Sequence, residues 1–181
     1  PVDWNPAEKR FNWELVYFEL YAGGKYKNDD GGDYEYSLGL NGLGACATQY
    51  ASEYMDVTVW RDGNKYSLHF AKGKIKGKML VEPSDRKKTG TTTRWKPDIE
   101  VFTDINIPES YFLDILRRQA VVNAGVTFRF RAQHGAKFET TEFCYKNGIA
   151  DYVAELAGES PLTQPYYIET ERKGKDREDK H

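Results

Sequence analysis

The chain has 181 residues, 39% of them apolar and 30% charged, with a formal net charge of −2 at pH 7. That balance fits one globular domain with a real core and gives no basic footprint over the surface as a whole. Two cysteines, Cys46 and Cys144, are too few for a disulfide framework or a zinc site and point to a reducing cytoplasm; no apolar run reaches the ~20 residues of a membrane span.

The chain opens on Pro1 with no initiator methionine and reads as part of a longer protein. Asn5-Pro6 is a turn signal that predicts a helix start. The run "FNWELVYFELY" (11–21) is apolar nearly all round, as a buried helix is, and the Gly23-Gly24 pair ends it. Residues 25–38, "KYKNDDGGDYEYSL", form a polar Gly- and Asp-rich loop long enough to be functional. A glycine turn with Gly39, Gly42 and Gly44 follows, leading into a helix over about Leu43 to Ser52. "MDVTVW" alternates as a strand, "RDGN" (Arg61–Asn64) is a hairpin turn, and "KYSLHFAKG" is the return strand. "KIKGKMLVE" and "TTTRWKPD" supply a third and a fourth strand.

Pro108-Glu109 starts a helix that Gly125 stops. "VTFRFRAQ" and "KFETTEFCY" make a second hairpin, "GIADYVAELAG" a short amphipathic helix, and "PYYIETE" a last strand. The final stretch, 171–181, is a charged tail. Hairpins separated by helices predict an α+β fold, not alternating parallel units: a two-layer α/β sandwich with a mixed, mostly antiparallel sheet and helices on one face.

The glycine turn carries the chemistry. Glycine is needed where the backbone bends sharply or where something comes very close, and the visitor at a helix N-terminus is often an anion. A structural connection without ligand is one reading. A dinucleotide site is a second, because Gly42-x-Gly44-x-x-Ala47 and Asp62 fit the spacing; the antiparallel turn at Asp62-Gly63 is the wrong context for it. A triphosphate cradle built from successive backbone amides is the third. It is not a Walker loop, since no G-K-[ST] follows.

The run "YAGGKY…GGDYEYSLGLNGLGACA" resembles the ATP lid and second glycine box of the bacterial type II DNA topoisomerase B subunits. These are the B subunits of gyrase and topoisomerase IV, in the GHKL ATPase superfamily. The resemblance continues in order through "RDG" (61–63), "KTGTTTRWKPD" (88–98), "FLDILRRQAVVNAGVTFRFR" (112–131) and "NGIADYVAEL" (147–156). It covers essentially the whole chain.

The resemblance implies a Bergerat-type ATPase fold in which residues 1–170 are the C-terminal two-thirds of the domain and 171–181 lead toward a transducer domain. Residues 25–38 would be the ATP lid and 39–45 the phosphate-binding turn. Gly39, Leu40, Asn41, Gly42, Leu43, Gly44 and Ala45 would wrap the triphosphate of ATP. Lys25 would reach the terminal phosphate, Tyr34 would pack near base and sugar, and Thr91 would help read adenine. Arg61 would sit at the pocket mouth, where aminocoumarin inhibitors contact family members. Asn41 departs from the pattern, which usually has His; Asn still donates a hydrogen bond but never becomes cationic.

The resemblance places the catalytic glutamate and the Mg2+ ligand upstream of residue 1. It therefore implies no catalytic residue and no metal ligand within the chain, and no ATP hydrolysis by the chain alone. It also implies a cytoplasmic parent that changes DNA supercoiling, binds duplex DNA, pairs with an A-type cleavage subunit and forms a homodimer of B subunits. The alternatives are another GHKL ATPase, MutL-like or chaperone-like, and a non-catalytic nucleotide-binding or interaction module.

Overall fold

The computed structural model describes residues 2–22 and 42–163, with Tyr166 and Ile168. The chain divides into two compact units, Pro1–Asn106 and Ile107–His181.

The first unit begins with a small hairpin, β1 (Trp4–Asn5) paired with β2 (Arg10–Phe11), in place of the helix predicted at Asn5-Pro6. Asn5 does not cap a helix. Its Oδ1 accepts the backbone N–H groups of Ala7 at 3.1 Å and Glu8 at 3.2 Å, which closes a turn. Trp4 then faces Phe11 edge-on, with ring centroids 5.2 Å apart. α1 (Asn12–Phe18) starts where the Glu14 carboxylate accepts the Phe11 amide at 2.7 Å, one half of a capping box. It buries Trp13 and Tyr17, while Leu20 and Tyr21 beyond its end are exposed, so burial all round does not extend over the predicted span. α2 (Gly44–Tyr50) packs beside α1.

The main sheet follows: β3 (Ser52–Arg61), β4 (Asn64–Ala71), β5 (Lys74–Ile75), β6 (Leu80–Pro83) and β7 (Gly90–Pro97). The order is β5-β4-β3-β7, with β6 also on β4, and every pairing described is antiparallel. The expected third strand is thus two short ones.

Alternation along β3 and β4 sends Met55, Val57, Val59, Leu68 and Phe70 to one face, against Trp13 and Tyr17. Phe70 is fully buried, with Tyr17, Phe18 and Trp13 rings at 5.2, 5.7 and 6.1 Å. Helices thus cover one face of this sheet, as the sequence predicts.

The sheet is anchored to the end of α2 through Asp98. Its amide donates to the Ala51 carbonyl at 3.0 Å, and its buried carboxylate accepts the Glu100 amide at 2.9 Å. Asp98→Ala leaves that amide unpaired, and urea unfolding should show a loss of about 1–3 kcal/mol. A change within a few tenths would show that water replaces the carboxylate.

The second unit consists of α3 (Glu109–Val122), the hairpin β8 (Phe128–His134) and β9 (Lys137–Phe143), and α4 (Ile149–Ala157). Its core is Ala120, Val121 and Tyr145, flanked by Phe128, Phe143 and Tyr152. The Tyr145 hydroxyl donates to Glu155 at 2.7 Å and ties α4 to this core. The expected strand "PYYIETE" and the charged tail lie almost wholly outside the described residues.

Candidate functional site

Gly42 has φ of +58°, a backbone conformation that disfavours any side chain, and it turns the chain into α2. The residue preceding the helix, Leu43, provides no side-chain cap. The first hydrogen bond of the helix runs from the Ala47 amide to the Leu43 carbonyl at 2.8 Å. The amides of Gly44, Ala45 and Cys46 precede it and have no acceptor among the described residues. A methyl group added to Gly44 would meet no atom of the described residues within 4 Å, so among them the space at Gly44 is open.

A cavity of about 260 Å³ lies beside the same turn, lined by Tyr17 from α1, Gly44, Ala45 and Thr48 from α2, Met55 from β3, and Thr93 and Trp95 from β7. The pairs Val59–Thr91, Val57–Thr93 and Met55–Trp95 put alternate residues of β7 on the helix-covered face. Thr91 therefore shares the face of the cavity, about 7 Å along the strand from Thr93. Burial pushes the Tyr17 hydroxyl above the usual tyrosine range, with a hydrogen bond to Thr93 acting the other way. Tyr17 is neutral at pH 7 and adds no negative charge to the cavity.

Arg61 ends β3, and its guanidinium is held by Asp3 at 2.7 Å and Asp62 at 3.0 Å. The bond to Asp3 is the main reason that its pKa lies above the ordinary arginine value. Of the residues expected to meet ATP, the fold brings Gly44 and Ala45 to the cavity, with Gly42 and Leu43 leading into it. Lys25, Tyr34, Gly39, Leu40 and Asn41 lie outside the described residues.

Tyr17, Thr48, Met55, Thr93 and Trp95 line the cavity without having been singled out in the sequence. The period of two in Thr91, Thr93 and Trp95 is the one signal that points to three of the β7 positions. Among the described residues no group of three His, Cys, Asp or Glu side chains converges to hold a metal. Backbone amides suit a phosphate chain; Mg2+ would need ligands beyond them.

No family model matches the chain. It is 32% identical to the DNA gyrase B protein of Synechocystis over 157 residues, 86% of this chain and 14% of that protein. Against the DNA gyrase B protein of Thermus thermophilus the identity is 33% over 170 residues, 93% of this chain and 26% of that protein. Against the topoisomerase 4 B protein of Escherichia coli it is 32% over 164 residues, 89% of this chain and 25% of that protein.

Among solved structures, the 43K ATPase domain of Thermus thermophilus gyrase B, in complex with an aminocoumarin, superposes with a TM-score of 0.70 at 28% identity. The match covers 90% of this chain and 39% of that one. The topoisomerase IV ATP-binding domain of Francisella tularensis, at 23% identity and TM-score 0.70 over 96% of this chain and 44% of that one, shares the fold.

Helices laid on an antiparallel sheet, with a glycine turn opening the helix beside it, define the α+β fold of the GHKL ATPase domains. Within that class the chain belongs to the family of bacterial type II DNA topoisomerase B subunits. It spans 14 to 27% of the length of the curated relatives that it matches.

Proposed function

We propose that this chain carries the phosphate-binding side of the ATP site of a type II DNA topoisomerase, in its B subunit. The observation that carries the reading is the row of amides at Gly44, Ala45 and Cys46, which have no acceptor among the described residues, beside a cavity in a fold shared with a gyrase B ATPase domain. Such amides direct partial positive charge at an anion, and they need no reorganisation to do so. Gly39 to Ala45 wrap the triphosphate, and Lys25 meets its terminal phosphate as a compact point charge. Thr91 faces the adenine end with Tyr34 near the base and sugar, and Arg61 borders the mouth. Residues 25–38 act as the lid.

The metal ligand and the general base belong to the parent protein outside this chain. Nucleotide capture, lid closure and dimerisation of B subunits then drive strand passage through duplex DNA with the A-type subunit. The family reading puts the parent in the cytoplasm. Among the described residues no helix is long and apolar enough to cross a membrane.

The test is an amide-resolved titration of the chain with Mg-ATP and Mg-ADP. Saturable shifts at Gly44, Ala45 and Cys46 are expected, and shifts confined to other residues would overturn the assignment. Lys25→Ala should weaken ATP at least 5-fold more than ADP, about 1 kcal/mol of selective loss, because ADP lacks the phosphate that this lysine meets. Equal losses for the two nucleotides would remove Lys25 from that role.

A further inference from the structure

The small net charge conceals a division along the chain. From Lys65 to Lys96 there are ten lysines and arginines and two acids, a net charge of +8, while the rest of the chain carries −10. This basic stretch runs through β4 to β7 of the first unit. The register shows which of its residues leave the sheet on the face away from α1 and α2. Since Met55, Val57, Val59, Leu68 and Phe70 point to the core, Asp56, Thr58, Trp60, Ser67, His69 and Arg94 point the other way.

Two sets of cations stand on that outer face. On one side, Lys76 and Lys78 border a recess of about 250 Å³ with the hydroxyl residues Thr58 and Ser67, next to the His69–Asp56 pair. That is room for a phosphate group, with two ammonium donors and two hydroxyls to meet it; the Asp56 carboxylate, paired with His69, also lines the recess. On the other side, the Lys88 ammonium lies 4.0 Å from the centre of the Trp60 ring and the Arg94 guanidinium 5.5 Å from that of Tyr54. All four cations are exposed, and among the described residues none of them forms an ion pair.

The rings under Lys88 and Arg94 are covered by their cations, so they are not free platforms for unstacked bases. Lys76 and Lys78 border residues of β3 and β4, and Lys88 and Arg94 lie over rings of β3, so the four cations gather over the β3–β4 part of this face as one basic surface.

We propose that the outer face of this sheet binds the phosphate backbone of duplex DNA. Lys76, Lys78, Lys88 and Arg94 contact its phosphates. The contact is independent of sequence, because no residue of the face is placed to read base edges. It uses the side of the sheet opposite the candidate ATP site and does not depend on that reading.

The experiment is fluorescence anisotropy of the full chain with a labelled 20-base-pair duplex across a salt series. Binding should weaken linearly in log salt, because each phosphate contact releases counterions with a slope of about 0.9. The variant Lys76→Gln/Lys78→Gln/Lys88→Gln/Arg94→Gln should bind at least 10-fold more weakly at low salt, with the slope smaller by about 3.6. Its circular dichroism and melting temperature should match those of the parent chain. Arg117→Gln/Arg118→Gln/Arg129→Gln removes three cations from the second unit and should leave duplex binding within 2-fold. Equal losses in both variants, or no duplex binding at low salt, would overturn the proposal. So would binding to vesicles containing phosphatidylserine that exceeds binding to the duplex.

Discussion

Phe70→Ala should unfold the first unit under conditions in which the unaltered chain is folded. Phe70 is fully buried at the centre of the larger core, touching three aromatic rings from α1 and its C-terminal end. Removing it deletes the transfer energy of a whole ring and leaves a cavity among the three rings that pack on it. Substitutions of this type cost about 3–5 kcal/mol, against a total stability of about 5–15 kcal/mol for a typical domain.

All four tryptophans, Trp4, Trp13, Trp60 and Trp95, belong to the first unit, so urea unfolding followed by tryptophan fluorescence reports on this unit alone. Phe112→Ala in the second unit is the control. Phe112 is 37% exposed on α3 and stacks on Phe130 at 5.7 Å, so it should leave the fluorescence midpoint unchanged. A Phe70→Ala midpoint within error of the parent chain would mean that the larger core does not depend on this ring.

The β3–β4 hairpin was legible because its signals are local. The alternation in "MDVTVW" and "KYSLHFA" fixes two faces. Between the strands, Asp62 (φ +51°) and Gly63 (φ +78°) supply the two left-handed residues that a tight hairpin turn requires. The start of the chain misled for an equally local reason. An asparagine side chain that accepts two following amides opens a helix or closes a turn with the same chemistry. What decides between them is the pairing of Trp4 with Phe11, a partner seven residues away that propensity does not weigh.

The site divides in the same way. The glycine turn stands out in sequence because a left-handed backbone position and an open approach both demand glycine. The cavity beside it does not stand out. Tyr17, Thr48, Met55 and Thr93 come from four elements, and only the packing of α1 and α2 on the sheet brings them together. Nor does the total charge reveal the basic stretch, since the acids elsewhere cancel it.

Gly44→Ala should separate stability from nucleotide binding. Gly44 is the first residue of α2, with no left-handed backbone to strain, and an added methyl would meet no atom within 4 Å. The folded chain has room for it. Alanine also holds helical geometry better than glycine by up to about 1 kcal/mol, through the smaller entropy that it loses. The melting temperature should therefore stay level or rise.

Gly44 lines the cavity beside this turn, and in the proposed reading the phosphate comes to hydrogen-bonding distance of its amide. A Cβ there holds the anion off, and hydrogen bonds to charged groups weaken steeply once they lengthen. ATP and ADP should both bind at least 10-fold more weakly, about 1.4 kcal/mol, because the phosphates that they share lie against this turn. That pattern differs from the ATP-selective loss expected for Lys25→Ala and distinguishes cradle from lid. If Gly44→Ala keeps its stability and binds both nucleotides as the parent chain does, the open space at Gly44 is solvent, and the phosphate site lies elsewhere.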